Sequence, residues 1–301
     1  MANDRSDFEP EIRNSAWWAS DSRQAVNGKA IEVIMQKQGK MERPDLSGIE
    51  AVQMGHVMQP IIGQLAQSKL QMELKDADYM LTHPNHSWLR SHFDFISSDG
   101  RVLVEAKNYN AGARNKFDAD SNRMPIADYV QLVHEAAVHQ VDKAVLAVLF
   151  GGQEFVTIEL DVTEQMKEDV IKQMAVFWGH VHTDTLPEPE TIEQTKLLYP
   201  IDNGSRLVAT QSLEQGCYAL REIKDLIKQY EDKADELEAK VRAIMGEHSE
   251  IVTFEGKTLV SWKTSKPSKR FNADLFKQAM PDIYEQFVIE QPGSRRFLVK
   301  G

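Results

Sequence analysis

Apolar and polar positions along the chain follow two periods, and the switches between them mark the elements. Ala25, Ile31, Val33 and Ile34 give the apolar surface of a helix predicted over 20–38, which Ser20 can cap. Ser47 and Glu50 form a capping-box pattern, and Ile49, Val52, Val57, Ile61 and Leu65 carry a second helix to about residue 74. Residues 79–82 and 88–96 read as strands, Ser98-Asp99-Gly100 as a turn, and 101–109 as a further strand. Residues 109–124, rich in Asn, Asp, Gly and Arg, lack periodicity and read as a mobile loop. Pro125 opens a helix to about residue 140. Strands at 143–150 and 154–160 make a hairpin around Gly151-Gly152, and a helix follows over 163–182. This order of helices and strands predicts a mixed α/β domain.

Residues 183–212 contain Pro187, Pro189, Pro200 and Gly204 and read as a connector. Beyond it Leu220, Ile223, Ile227, Tyr230, Ala234, Leu237, Val241 and Ile244 alternate spacings of three and four, a coiled-coil-type seam that Gly246 ends. A run this short suits an antiparallel arm folded onto its own domain as well as a contact between subunits. In the tail, 251–254, 259–263 and 297–300 read as strands and 272–280 as a helix. The expected organisation is therefore a main domain over 1–204, a helical heptad arm over 205–246 and a small α+β unit over 247–301.

Composition narrows the function. Apolar residues make up 42% of the 301 positions, enough to bury a sizeable core. Cys217 stands alone, which excludes a disulfide framework or a cysteine-rich metal site and reads as a small buried or half-buried residue. Residues 1–13 are polar and acidic and no long apolar run occurs, so neither a secretory signal nor a membrane span is expected and the cytoplasm is the expected location. His83, His86, His92, His134 and His139 show no zinc spacing. A net charge of -11 argues against coating nucleic acid through bulk positive charge. It leaves room for an enzyme that touches DNA locally and gathers carboxylates around a metal.

Chemistry concentrates in Asp94 and Glu105-Ala106-Lys107. On a strand, Glu105 and Lys107 share one face while Val102, Val104 and Ala106 take the other. The turn at Ser98-Asp99-Gly100 folds the strand bearing Asp94 back alongside. Two carboxylates so placed bind a hard divalent cation through oxygen, and the lysine sits beside the water that the cation activates. A solvated cross-strand charge pair is the other arrangement such residues adopt.

Asp94 followed by Glu105-x-Lys107 resembles the PD-(D/E)XK nuclease motif, and its surroundings resemble the lambda-type phage exonucleases, or YqaJ-type viral recombinases, over nearly the whole chain. Ala19-Ser20-Asp21 resembles the family's early A-S-D/E signature, with Arg13 seven residues before Ser20. Gly55-His56-Val57-Met58-Gln59-Pro60 resembles its helical G-x-x-x-E-P motif, and Tyr129-Val130-Gln131 its Y-x-Q segment. His83-Pro84 and Trp88-Leu89-Arg90 precede Asp94 as in the family, and Ser261-Trp262-Lys263, Pro281-Asp282-Ile283-Tyr284 and 295–300 resemble its tail. Two positions depart: Gln59 stands where the family has glutamate, and Phe95 where it usually has glycine, a change expected to alter local packing.

The resemblance implies a restriction-endonuclease-like core with a mixed central sheet flanked by helices. It implies a Mg²⁺ site, open to Mn²⁺, made by Asp94, Glu105, the Ala106 carbonyl and Gln59. Gln131 joins Asp94, Glu105 and Lys107 at the catalytic centre, Arg13 takes a 5′-phosphate, and Ser20 is a further DNA-binding residue. The implied activity is resection of duplex DNA ends, 5′ to 3′, for recombination with a phage single-strand annealing protein. Family members form ring-shaped trimers, so a homo-oligomer is expected. In the loop after Lys107, Arg114 and Lys116 are candidates to grip the DNA backbone, as are Lys266, Lys269 and Arg270 in the tail. Two other functions fit the same residues. One is a structure-specific or restriction-like endonuclease. The other, suggested by Gln59 and the heptad arm, is a weakly catalytic DNA-binding assembly protein.

Overall fold

The protein, seen here as a computed structural model, is described over residues 10–77, 79–291 and 293–300, and divides into two units between Leu198 and Tyr199. The acidic start, residues 1–9, lies outside that description. The first unit runs α1 (Pro10–Asn14), β1 (Trp17–Trp18), α2 (Ala19–Gln24), α3 (Ala30–Lys37) and α4 (Glu50–Leu70). It continues with β2 (Leu74–Asp76), β3 (Leu81–His83), β4 (His86–Ser91), β5 (Phe95–Ser97) and β6 (Val102–Tyr109). Then come α5 (Ile126–His139), β7 (Lys143–Phe150), β8 (Glu154–Asp161), α6 (Glu164–Thr183) and α7 (Ile192–Leu198).

Five strands form the expected mixed central sheet in the order β2-β5-β6-β7-β8. Its pairs are antiparallel except β6 with β7, which run parallel because α5 carries the chain back between them. A second sheet, β1-β4-β3, pairs Trp17 and Trp18 with Leu89 and Arg90.

The central strands are buried on both faces, so period-2 patterning gives way to continuous apolar runs. Val102, Val104, Val145, Ala147 and Leu149 pack with Ile62 and Ala66 of α4 on one side. Leu103, Ala144, Leu146, Val148 and Phe150 join a larger core with Trp17, Leu132, Val133 and Ala136 on the other. Each large aliphatic side chain so enclosed contributes roughly 1.5–3 kcal/mol. Glu105 and Lys107 project into this second face, so the expected division into a polar and an apolar side holds only at the strand's far end.

Several sequence expectations change. The helix expected over 20–38 is broken by a π-turn at Ala25–Lys29, where Gly28 adopts φ 80. Only glycine enters that region readily, and the kink turns α3 away from α2. Ser47 does not cap α4: Ile49 precedes the helix with no side-chain cap, while the Ser47 amide donates to Asp45. The strand expected over 88–96 is two strands separated at 92–94, and β2 is an edge strand that its two charged residues concealed. A 3-10 helix at Ala111–Lys116 occupies the expected loop, and α7 lies within the expected connector.

Two glycines of α4 have different surroundings. A Cβ on Gly55 would meet nothing within 4 Å, so Gly55 is not where α4 closes on the sheet. That place is Gly63, where a Cβ would stand 2.5 Å from Phe95 Cζ. Phe95 thus fills the space that its neighbour on α4 leaves open.

In the second unit, the heptad run is a single helix, α8 (Gln211–Met245), capped by Thr210 and ended at Gly246 with φ 54. β9 (Glu250–Val252) and β10 (Thr258–Ser261) form an antiparallel pair, followed by α9 (Ala273–Ala279) and α10 (Pro281–Gln286). Residues 297–300 form no strand. Cys217 is exposed rather than buried, on the surface of α8.

Candidate active site

β6 places Leu103, Glu105, Lys107 and Tyr109 on its α5 side, with Leu103 and Tyr109 in the larger core. Glu105 is buried at 5% exposure. Its Oε1 accepts from Lys107 Nζ at 2.5 Å and from Gln131 Nε2 at 2.7 Å. Its Oε2 has no hydrogen-bond partner among the described residues. Asp94 lies in the bend that opens β5, and the β5–β6 pairing brings it beside the active strand. Asp94 Oδ2 accepts from the Ala106 amide at 2.8 Å and Oδ1 from Gln59 Nε2 at 2.7 Å. Gln59, Asp94, Glu105, Lys107 and Gln131 therefore form one neighbourhood drawn from α4, β5, β6 and α5.

The electrostatics are those of two carboxylates held too close. Burial, and then the charge of Glu105, push the Asp94 carboxyl well above its ordinary range, against the pull of Lys107 and the Ala106 amide. Burial works against charge on Lys107, but Glu105 and Asp94 outweigh it and raise the ammonium above its usual value. Lys107 is firmly cationic in this setting. A divalent cation between the carboxylates would relieve the same repulsion.

Sequence reasoning missed Glu135, one helical turn beyond Gln131 on α5. It is fully buried, and its Oε1 accepts the second Gln131 amide hydrogen at 2.8 Å. Burial and the nearby Glu105 raise its carboxyl well above the ordinary range. The i, i+4 spacing from Gln131, continuing the row from Asp128, was the available signal, but nothing in that row tells a buried polar face from a solvated one.

A second missed group flanks the site. Tyr109, two residues past Lys107, donates to Asp128 Oδ1 at 2.8 Å, while Arg23 reaches Asp128 at 3.0 Å and the Tyr109 hydroxyl at 2.8 Å. Burial and Asp128 raise the phenol to about 12, so it stays protonated.

Arg13 and Ser20 meet, with Arg13 Nη2 donating to Ser20 Oγ at 2.7 Å. The guanidinium lies 4.4 Å from the Trp18 ring centroid, so Trp18 is its floor. Trp17 is a core residue stacked on Phe177 at 5.7 Å. Asp21 has a structural part: its Oδ2 pairs with Lys37 at 2.7 Å, both side chains fully buried, and accepts the Trp18 amide at 2.9 Å. Burial lowers Lys37 to about 8 even with this partner.

The loop cations stand apart. Arg114 is engaged with Glu154 at 2.5 Å and with the Phe117 carbonyl, and Lys116 is exposed. Among the described residues no three His, Cys, Asp or Glu side chains gather into a metal-holding group, so only two carboxylates are available here, with the Ala106 carbonyl and the Gln59 amide beside them. No described helix is long and apolar enough to cross a membrane.

Residues 11–142 match the YqaJ-like viral recombinase domain family. The uncharacterized protein YqaJ of Bacillus subtilis (strain 168) is 22% identical over 304 residues, spanning 94% of this chain and 93% of its own. An alkaline exonuclease, LHK-Exo from Laribacter hongkongensis, superposes with a TM-score of 0.46 at 10% identity, covering 58% of this chain and 91% of its own. A phage related exonuclease from Haemophilus somnus 129PT does so at 0.42 and 12%, covering 54% and 81%.

Proposed function

From the match of residues 11–142 to the YqaJ-like viral recombinase domain family, we propose that the protein is a deoxyribonuclease that resects ends of double-stranded DNA, 5′ to 3′, with Mg²⁺ or Mn²⁺. The observation that carries this reading is the coupled group of Asp94, Glu105 and Lys107 across the β5–β6 hairpin. The residues suit a divalent cation. Glu105 Oε2 is buried without a partner among the described residues, and burial together with the charge of Glu105 raises the Asp94 carboxyl, so a cation added beside Lys107 would be stabilised here.

Asp94, Glu105 and the Ala106 carbonyl would hold the ion, and Gln59 would contribute its amide oxygen once its side-chain amide turns over. Two carboxylates match one divalent ion better than two. When bound, the ion supplies a Lewis acid that activates water and stabilises phosphoryl charge. Lys107 sets a fixed positive charge beside Glu105, where charge develops on the phosphate. Gln131 holds the Glu105 carboxylate in one orientation. Arg13, with Ser20 and the Trp18 floor, offers a guanidinium to a terminal 5′-phosphate. These are local contacts, which an overall acidic protein can make. The 3′ strand left behind would suit a single-strand annealing protein, and a homo-oligomer accords with the family.

End-labelled linear duplex with Mg²⁺, with and without a 5′-phosphate, tests the reading. Progressive release from 5′-phosphorylated ends, with closed circular DNA left intact, is expected. Cleavage of the circle would make the protein an endonuclease on the same core. DNA binding without hydrolysis in either Mg²⁺ or Mn²⁺ would leave it a binding or assembly protein.

A further inference from the structure

α8 is an amphipathic helix whose middle stays exposed among the described residues, with the tail's Phe297 ring 5.6 Å from Lys224 on its flank. Every residue from 221 to 240 is exposed, including the seam positions Ile223 at 54%, Tyr230 at 67% and Leu237 at 63%. At 35 residues the helix is about 52 Å long, and only Met245 is buried along it. A free helix does not keep such a strip of aliphatic side chains in water at no cost, and a seam spaced three and four is the pattern that another helix of the same kind covers.

With Leu220, Ile227, Ala234 and Val241 at a, and Ile223, Tyr230, Leu237 and Ile244 at d, the flanking positions are fixed. Position g carries Lys233 and Lys240 in the C-terminal half, and position e carries Glu231 and Glu238. In a parallel pair, each g residue faces the e residue five positions on in the other helix. Lys233 then meets Glu238 of the second copy, twice by symmetry. The remaining g–e pairs are Ser212 with Cys217, Ala219 with Lys224, Leu226 with Glu231, and Lys240 with Met245, none of which opposes like charges. Within its own helix Glu238 already contacts Arg242, so it lies on the charged flank rather than in the seam.

We propose that the α8 seam is an interface for a second copy of this chain, closed as a parallel coiled coil. The seam is complementary to itself in both its apolar spacing and its edge charges. This does not rest on the nuclease reading, because it concerns the second unit alone and is measured without DNA.

The test uses the full chain carrying Cys217→Ser, with Ile223→Cys or Leu237→Cys at d, or Lys228→Cys on the solvent face. In a parallel pair each d residue faces its own mate, so mild oxidation should give disulfide-linked dimers for both d variants and not for Lys228→Cys. Absence of the link at the d positions, or equal linking at Lys228→Cys, overturns the proposal. It would leave the seam to an unrelated partner or to an antiparallel contact. Sedimentation equilibrium gives an independent reading. Ile227→Lys with Leu237→Lys should weaken association by at least roughly 100-fold, each lost aliphatic contact counting for about tenfold or more. Ala234→Leu, which fills the smallest a position, should tighten it. A chain that is monomeric at all concentrations, or an Ala234→Leu variant no tighter than the parent, also overturns it.

Discussion

Replacing Gly63 with alanine tests the packing that positions Asp94. The new Cβ would stand 2.5 Å from Phe95 Cζ and 2.7 Å from Cε1, against about 3.5–4.0 Å for an ordinary carbon contact. An overlap of this size has to be removed by movement. Phe95 is 5% exposed and paired with Val104 of β6, so its ring cannot swing into solvent. Either α4 lifts from the sheet or β5 shifts, and Asp94 is joined directly to Phe95. Overpacking of this kind costs about 1–3 kcal/mol, while exchanging a helical glycine for alanine returns about 0.5–1 kcal/mol. The net expectation is a loss of about 1–2 kcal/mol. In urea titration the midpoint should fall with an unchanged slope. Adding Phe95→Leu removes the obstructing ring, so the double variant should lose less than the sum of the two single variants. A Gly63→Ala protein as stable as the parent, or strict additivity with Phe95→Leu, would show that this contact does not set the approach of α4.

Three further outcomes follow from the site and its support. Lys107→Ala should cut hydrolysis of linear duplex by about 10²–10³-fold, the loss typical of one fixed transition-state donor; near-normal turnover by the folded variant would remove Lys107 from the chemistry. Gln59→Glu replaces the donor facing Asp94 Oδ1 with a third carboxylate. It should lower thermal stability in chelator and tighten Mn²⁺ binding, and superimposable metal titrations would put Gln59 outside the site. His134 is fully buried between Ser22 Oγ at 2.7 Å and the Arg90 carbonyl at 3.0 Å, and burial lowers it to about 4. Its neutral form is favoured by folding, so stability is full above the unfolded value of about 6.5 and falls as pH drops from there toward about 4, by roughly 3 kcal/mol. Denaturation midpoints from pH 7 to 4 should show that slope, and His134→Asn should flatten it.

The legible parts of the molecule were those where a short-range period carries the information. Glu105 and Lys107 share a face because strand side chains alternate, and the Ser98-Asp99-Gly100 turn fixes which strand lies alongside. The choice of Arg13, Ser20, Gln59 and Gln131 as candidates came from family resemblance, since nothing local in their helices distinguishes them, and the Arg13–Ser20 contact was not foreseen. Glu135 was missed for another reason: Asp128, Gln131 and Glu135 form a polar row at helical spacing on α5, which reads as a solvated face until the packing shows that it is buried. Gly55 and Gly63 are both helical glycines on α4, and only the tertiary approach of Phe95 separates them. The strand expected at 297–300 rested on the apolar run Phe297-Leu298-Val299, which pairs with no strand among the described residues, and β2 pairs despite two charged residues because an edge strand tolerates them.

The linkage between α2, α5 and β6 has a mechanical consequence. Ser22 and Arg23 of α2 are tied to His134 and Asp128 of α5, and Gln131 of α5 is tied to Glu105 of β6. The segment that carries Ser20 and the strand that carries Glu105 are thereby bolted to one rod. On the proposed reading, the gap between the anchored strand end and the point of scission is a fixed gauge. A substitution that loosens α5 would then disturb both ends of that span together, rather than either one alone.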